Sequence, residues 1–436
     1  MFDTTVARLV RTIRGAAARL GRQLSGRKGL VRRVTEKYLM SHDFNGTGVM
    51  HQDARLVAGS IEDRELDLVR GDGHPNPHIK AFPEEPVDQQ LAKLAEQGLG
   101  HGCLYPSRAH LSRIDAASRF PGRPYSQALA LGAAQLEFRS FDLRLLEFFR
   151  NDPRFKYQVD DIFGSIYRKA EHRDETPATV ADGLEMARFG FAYDDEMNRA
   201  VALYLRDLHG FAPEQQAMMK TYEVTGSYKL HPDFARSTLF GEFPERVSIY
   251  DAFLQEKKHI NAICALIGKA PLFKTDATHP RPHGFAILLR PTNKEFRDFV
   301  MLLNLLLTDD LNNDFFVGDL ETTEEVTDAS NKIKRQRIGT ITLLERWLAP
   351  PKFTAGDPEE IKALFKKLRA IRDKRAKPAH VAEDNAFDQT YLRQQRELIA
   401  DGFDVVRELR MILENHPAAA GYEIPDYLRN ARVWSF

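Results

Sequence analysis

The sequence predicts a mainly α-helical protein in which a four-helix bundle over residues 291–436 follows a mixed α/β and helical N-terminal body. The bundle is predicted from four segments in the last third of the chain that carry apolar residues at helical spacing. Two of these segments have clear start signals: Thr292 and Glu295 form a capping box, and Asp357 precedes Pro358 as an N-cap precedes a first-turn proline. The composition, 43% hydrophobic and 28% charged, is that of an ordinary folded protein.

The first segment of the N-terminal body, residues 1–34, is predicted to be a basic amphipathic helix. From Arg8 to Arg33 the chain has nine basic residues and no acid, with apolar residues at helical spacing. Such a helix either lies on a membrane surface or nucleic acid, or packs one apolar stripe on the body of the protein. The second interpretation is favoured, because charge patterning alone is a weak indicator of a partner.

Two further segments complete the predicted body. Residues 35–130 are expected to form a small α/β region, since short apolar runs alternate there with glycine- and proline-containing turns. Residues 131–290 are expected to form a mainly helical middle domain with one hairpin. Leucines at helical spacing predict a helix over 127–149, and apolar residues that alternate over 155–166 predict the hairpin.

The C-terminal bundle is predicted element by element from its caps and breaks. The connection after the first helix, residues 309–328, contains eight acids and no base and is expected to be a solvated loop rather than a cation site. The four helices are predicted over 292–308, 332–348, 357–377 and 387–414.

Bulk charge and cysteine content limit the classes of function. The formal net charge is zero, with 62 basic and 62 acidic residues. This balance argues against a protein whose whole surface binds nucleic acid, but it allows a local basic site. Cys103 and Cys264 cannot form a disulfide framework or a cysteine-rich zinc site, which suits a reducing compartment. The longest apolar run, 299–307, is too short for a transmembrane segment, and the first residues contain no signal-peptide core. The expected location is therefore cytoplasmic.

Strong catalytic motifs are absent from the sequence: there is no phosphate-binding loop, nucleophile elbow, zincin motif or dinucleotide fingerprint. The pairs His74/His78 and His279/His283 have a spacing at which two imidazoles can share a metal. Both pairs lie in proline-rich loops without a fixed acidic or cysteine partner, so structural or exposed histidines are favoured. No metal and no cofactor is predicted.

The junction between the third and fourth C-terminal helices carries the most specific pattern. Arg375 is followed five residues later by His380, within a run of basic residues at a helix end. This region, residues 292–415, resembles the HEPN superfamily of small four-helix domains, which are marked by an arginine followed four to six residues later by a histidine. Arg410 and His416 also have that spacing, at the end of a different helix.

The resemblance implies a metal-independent endoribonuclease of a defence or toxin type. Cleavage of RNA without a metal requires a base for the 2′-hydroxyl proton and an acid for the leaving oxygen, and His380 can serve in either role. Arg375 would stabilise the charge on the phosphorane. Arg372 and Asp373, which resemble the family pattern in composition but not in spacing, would be supporting or substitute residues.

The expected partners follow from the same chemistry. Lys374 and Lys377 would attract the phosphate backbone of RNA, and because one motif supplies only one imidazole, a homodimer is expected. The alternative is a non-catalytic helical protein that binds a protein partner or a nucleic acid, in which basic side chains complement the helix dipole and His380 caps the turn. A nuclease requires Arg375 and His380 to converge in an exposed cleft, whereas the alternative allows Arg375 to form a private ion pair.

Overall fold

The computed structural model of the 436-residue chain describes residues 26–40, 44, 47–275, 281–327, 333–349, 358–376 and 384–434. Most of the predicted N-terminal helix and the site residues Lys377 and His380 lie outside these ranges.

Helices are distributed over the whole described chain. In order they are α1 (Arg27–Met40), α2 (Ala54–Glu62), α3 (Val87–Gln97), α4 (Arg108–Leu111), α5 (Ala116–Arg119), α6 (Pro124–Ala130), α7 (Glu147–Arg150), α8 (Leu205–His209), α9 (Pro213–Tyr222), α10 (Pro232–Leu239), α11 (Ile249–Leu266), α12 (Asn293–Leu307), α13 (Thr340–Leu348), α14 (Pro358–Ala376), α15 (Thr390–Glu414) and α16 (Asp426–Arg429). In this described part, no helix combines the length and the apolar character needed to cross a membrane.

Strands occur in both halves of the chain. They are β1 (Leu66–Val69), β2 (Cys103–Pro106), β3 (Phe138–Phe141), β4 (Phe155–Val159), β5 (Phe163–Arg168), β6 (Met186–Tyr193), β7 (Arg199–Tyr204), β8 (Lys229–Leu230), β9 (Val247–Ser248), β10 (Thr323–Thr327), β11 (Ile333–Arg337) and β12 (Val433–Trp434). Six of them form an antiparallel sheet of order β3-β7-β6-β5-β4, in which β8 also pairs with β6. The pairs β1–β2, β10–β11 and β9–β12 are separate, and only β9–β12 is parallel.

The prediction of a mainly α-helical fold is wrong. The chain is 48% helical and 15% strand, and its six-stranded sheet makes it a mixed α/β protein. The predicted helix over 127–149 shows the cause: α6 ends at Ala130, Gly132 adopts a left-handed φ of 87°, and β3 then pairs with β7. The later leucines of that run are buried in a 3-10 turn, Leu143–Leu146. Leucine spacing alone does not distinguish such a turn from a helix, and the strand partner lies some sixty residues away, at Val201 to Tyr204.

Contacts between Cα atoms divide the chain into two compact units, each made of two segments. The first unit contains Met1–Phe148 and Ser165–Phe243, and the second contains Phe149–Gly164 and Pro244–Phe436. These boundaries differ from the four predicted segments, whose independence as domains stays a prediction.

The core of the first unit lies along β6 and β7, where most side chains are buried on both faces of the sheet. Helix α10 covers this sheet at Gly190: a Cβ atom there would lie 2.2 Å from the ring of Phe234. The same ring stacks on Tyr204 with a centroid separation of 5.9 Å. Glycine is therefore required at position 190 by the close approach of an aromatic ring.

The second unit is built around long helices. Helix α11 packs along α15, and α14 packs against α12 and α15. Helices α12 and α15 lie within the predicted ranges 292–308 and 387–414, and the predicted cap Thr292 accepts a hydrogen bond from the amide of Glu295 at 3.3 Å. The predicted helix over 332–348 is correct only from Thr340, because its first residues form β11.

Candidate functional site

Helix α14 carries the predicted site residues at its C-terminal end. Its apolar stripe, Leu364, Phe365, Leu368 and Ile371, is buried to about 1% exposure, so this face fixes the helix in the second unit. The burial places the polar residues of the last turn on the opposite, solvent-exposed side.

All four described site residues are exposed. Arg372 donates to the neighbouring Asp373 at 3.2 Å, and Lys374 lies in the same last turn of the helix. The guanidinium of Arg375 forms an ion pair with the carboxylate of Asp309, in which the side chains are 47% and 40% exposed. The structure therefore brings Arg375 to an acid that sequence reasoning had assigned to a solvated loop.

A buried amide sets the geometry of this ion pair. Asn304 of α12 is fully buried, and its Nδ2 donates to the carbonyl oxygen of Ile371 at 3.0 Å, one helical turn before Arg375. Its Oδ1 accepts from the hydroxyl of Thr308 at 2.9 Å, immediately before Asp309. One side chain thus links the ends of α12 and α14. The signal that could have revealed it is a polar residue within the otherwise apolar run 299–307.

The next acid of the connection has a different role. Asp310 is buried and accepts from the ammonium of Lys257 at 2.8 Å and from the hydroxyl of Thr275 at 2.7 Å. Burial lowers the pKa of the Lys257 ammonium, and its bond to Asp310 opposes that change. Asp309 and Asp310 are each paired with a basic side chain, and Asp310 is buried rather than solvated.

The second arginine–histidine pair of the sequence is structural. Arg410 is 1% exposed, and its guanidinium binds Glu256 of α11 through two nitrogens and Glu414 at 2.6 Å. His416 accepts a hydrogen bond from the amide of Ala418 at 3.1 Å. Arg410 holds α11 against α15 and is not available to a ligand.

The histidines of the first pair, His74 and His78, have separate contacts. His74 is buried and accepts from the amide of Asn76 at 3.2 Å, and His78 lies 3.4 Å from the thiol sulfur of Cys103. Across the described residues, no group of three or more histidine, cysteine or acidic side chains could hold a metal ion. His279 lies outside those residues.

His283, the described member of the second pair, lies at a polar cavity of about 380 Å³ that is also lined by Asp160, Asp251 and Arg281. The guanidinium of Arg281 lies 3.1 Å from Asp251 and 3.6 Å from Asp160, and it also binds the carbonyl of Val159. Burial raises the pKa of the Asp160 carboxyl, with a further contribution from Asp251. Since Arg281 joins three segments of the second unit, this cluster serves to hold them together.

Comparison with known proteins supplies no relative for this arrangement. No family model, curated protein or solved structure matches the chain. The function must therefore be inferred from the chemistry of the residues themselves.

Three bases and two acids make up the described surface at the end of α14. Arg372, Lys374 and Arg375 outnumber Asp373 and Asp309, whereas the carbonyl end of the helix, which carries a partial negative charge, opposes an anion at the same place. A phosphate group could bind here by displacing the carboxylate of Asp309 from Arg375, since phosphate also accepts charge-assisted hydrogen bonds from a guanidinium.

Proposed function

We propose that the protein is a metal-independent endoribonuclease of a defence or toxin type, whose site is the end of α14 together with His380. The observation that carries the proposal is the exposed basic last turn of this helix, with Arg375 five residues before His380 in the sequence. The resemblance of residues 292–415 to HEPN domains supports the same function.

The proposed reaction needs no cofactor. His380 takes the proton of the 2′-hydroxyl group, and the 2′-oxygen attacks the adjacent phosphorus. Arg375 stabilises the negative charge that develops on the phosphorane. The bond to the 5′-oxygen then breaks and that oxygen receives a proton, which leaves a 2′,3′-cyclic phosphate and a free 5′-hydroxyl. A second imidazole from a homodimer partner would supply this proton.

The neighbouring residues have supporting roles in this proposal. Lys374 and Lys377 attract the RNA backbone, while Arg372 and Asp373 support or replace Arg375. The proposed location is the cytoplasm, because RNA substrates are present there and its reducing conditions keep the two cysteines as free thiols.

A second candidate function is a non-catalytic protein that binds a nucleic acid or a protein partner through its C-terminal helices. It is favoured by one observation, the ion pair between Arg375 and Asp309. A guanidinium already neutralised by a carboxylate is a weaker stabiliser of a phosphorane, unless the substrate displaces that carboxylate.

The test is cleavage of RNA in the presence of EDTA by the wild type, His380→Ala and Arg375→Ala. Arg369→Ala is the matched control, because Arg369 is on the same helix and forms an equally exposed ion pair with Glu345. The proposal predicts wild-type cleavage that both site variants abolish and the control retains. Wild-type protein that cleaves no RNA would favour the binding protein, and cleavage that survives in His380→Ala would overturn the assigned site.

A further inference from the structure

Strands β10 and β11 form a two-stranded ribbon on the second unit. They pair antiparallel over five residue pairs, from Thr323 opposite Arg337 to Thr327 opposite Ile333. Every residue of β11 is exposed, as are Glu324, Glu325 and Val326 of β10, whereas Thr323 is partly buried. We call these two strands, Thr323–Thr327 and Ile333–Arg337, the exposed ribbon.

Such a ribbon has little intrinsic stability. An isolated two-stranded hairpin is marginally stable in water, because it buries too little apolar surface to offset the cost of ordering its backbone. The apolar residues of this ribbon are themselves exposed, Val326 by 39% and Ile333 by 69%. The residues of the exposed ribbon contribute little to the core. A role in binding a partner would explain why the chain forms this element.

The charge of the ribbon is concentrated on one strand. β11 contains Lys334, Arg335 and Arg337 and no acid. On β10, Glu324 is paired with Arg346 at 3.1 Å, and Glu325 lies opposite Arg335. Its net character is therefore basic.

One face of the ribbon carries most of the groups that suit a phosphate backbone. In an antiparallel pair, residues directly opposite one another share a face. Arg335 and Arg337 therefore lie on the same side as Thr323. Arginine and threonine are common donors to phosphate oxygens. The two arginines are separated by one residue, about 7 Å along the strand, which is close to the step between successive phosphates of an extended nucleic-acid strand.

We propose that the exposed ribbon binds the sugar–phosphate backbone of an RNA strand through this face, without regard to base sequence. The choice of RNA over another polyanion rests on the proposed ribonuclease function, whereas the binding of a phosphate backbone rests on the ribbon alone. Glu325, opposite Arg335, weakens the interaction because it is the acid on that face.

The experiment measures binding separately from cleavage. A fluorescent mixed-sequence RNA carrying 2′-O-methyl groups has no 2′-hydroxyl nucleophile, so its fluorescence anisotropy reports affinity alone. The full chain is titrated at several salt concentrations as wild type and as Arg335→Gln/Arg337→Gln. The control is Lys294→Gln/Arg393→Gln, which removes two bases that are about as exposed, 72% and 70%, from helices of the same unit.

Loss of two phosphate contacts is expected to reduce the slope of log affinity against log salt by about 1.4, since each contact with a single strand contributes about 0.7. At about 0.1 M salt this corresponds to a roughly 20-fold loss of affinity in the ribbon variant, with little change in the control. Glu325→Gln is expected to raise affinity by up to about fivefold. Circular dichroism checks that each variant is folded.

Equal losses in the ribbon variant and the control would overturn the proposal, because the ribbon would then act only through net charge. So would unchanged RNA affinity accompanied by altered oligomeric state, which would identify the ribbon as a protein contact. If the wild type binds the RNA through the ribbon but cleaves no unmodified RNA, the ribonuclease proposal fails and the ribbon inference stands.

Discussion

The ion pair between Arg375 and Asp309 yields the sharpest prediction about the candidate site. Asp309→Asn keeps the size of the side chain and removes its charge, which frees the guanidinium of Arg375 for a phosphate group. Both side chains are nearly half exposed, so the pair is screened by solvent and stabilises the fold by at most about 1 kcal/mol. The free energy of unfolding should therefore fall by no more than that amount.

The same magnitude limits the effect on ligand binding. If RNA must displace Asp309 from Arg375, removal of the carboxylate returns up to about 1 kcal/mol to binding, which is about a fivefold gain in affinity. The assay is titration of 2′-O-methyl RNA, followed by KM and kcat on unmodified RNA. The gain should appear in the dissociation constant and KM.

Glu345→Gln provides the matched comparison. Glu345 is the acid partner of Arg369, which is on the same helix as Arg375, and the two ion pairs are similarly exposed. Its RNA affinity should equal that of the wild type. An Asp309→Asn variant that binds RNA more weakly would refute the reasoning, because the carboxylate would then position Arg375 rather than compete for it. An unchanged affinity would show that Arg375 makes no phosphate contact.

Three further predictions concern the scaffold. Lys257→Met leaves the buried carboxylate of Asp310 without its cation and should lower the free energy of unfolding by about 3–5 kcal/mol in urea denaturation; the double variant with Asp310→Asn should recover most of this loss. Gly190→Ala forces a methyl group into the ring of Phe234 and should cost about 1–3 kcal/mol in the same assay. Burial raises the pKa of the Asp160 carboxyl in the folded state. As pH rises from about 4 towards that raised pKa, the folded protein therefore loses stability relative to the unfolded chain. Asp160→Asn removes this titration, so its free energy of unfolding should rise relative to that of the wild type over the same pH range.

Exposed positions supply the controls for these three experiments. Lys229→Met removes a lysine that is 76% exposed, Asp195→Asn an aspartate that is 78% exposed, and Gly339→Ala adds a methyl group where no atom lies within 4 Å. Each should change stability by less than about 0.5 kcal/mol. A change of stability in a control equal to that of its matched variant would show that burial is not the cause.

Local signals in the sequence were sufficient for several elements. The N-cap Thr292 and the alternating residues from Phe155 to Ile166 correspond to an observed helix start and to two adjacent strands. These features are encoded within a few neighbouring residues, by a side chain that bonds a nearby amide or by alternation on one strand.

The sheet and the contacts of the site depend on residues far apart in the chain. β3 pairs with β7 across sixty residues, and Arg375 meets Asp309 across 66. No periodicity in a short window encodes such a partner. The prediction of a mainly α-helical fold is therefore wrong, and the predicted solvated loop does not anticipate the ion pair of Asp309 with Arg375. The polar Asn304 within an apolar helix was a local sign of a long-range contact, and its significance is apparent only once Ile371 is placed beside it.

The division of each unit into two segments has a consequence for biosynthesis. Residues 149–164 emerge from the ribosome before the rest of the second unit, Pro244–Phe436, has been made. Tyr157, whose ring lies 5.9 Å from that of His283, and Asp161, which accepts a hydrogen bond from the amide of Ile249 at 2.9 Å, must wait for partners that are still to be translated. Nascent chains that stall near residue 243 are therefore expected to expose this aromatic segment and to depend on chaperones, whereas the first unit already has all of its sequence.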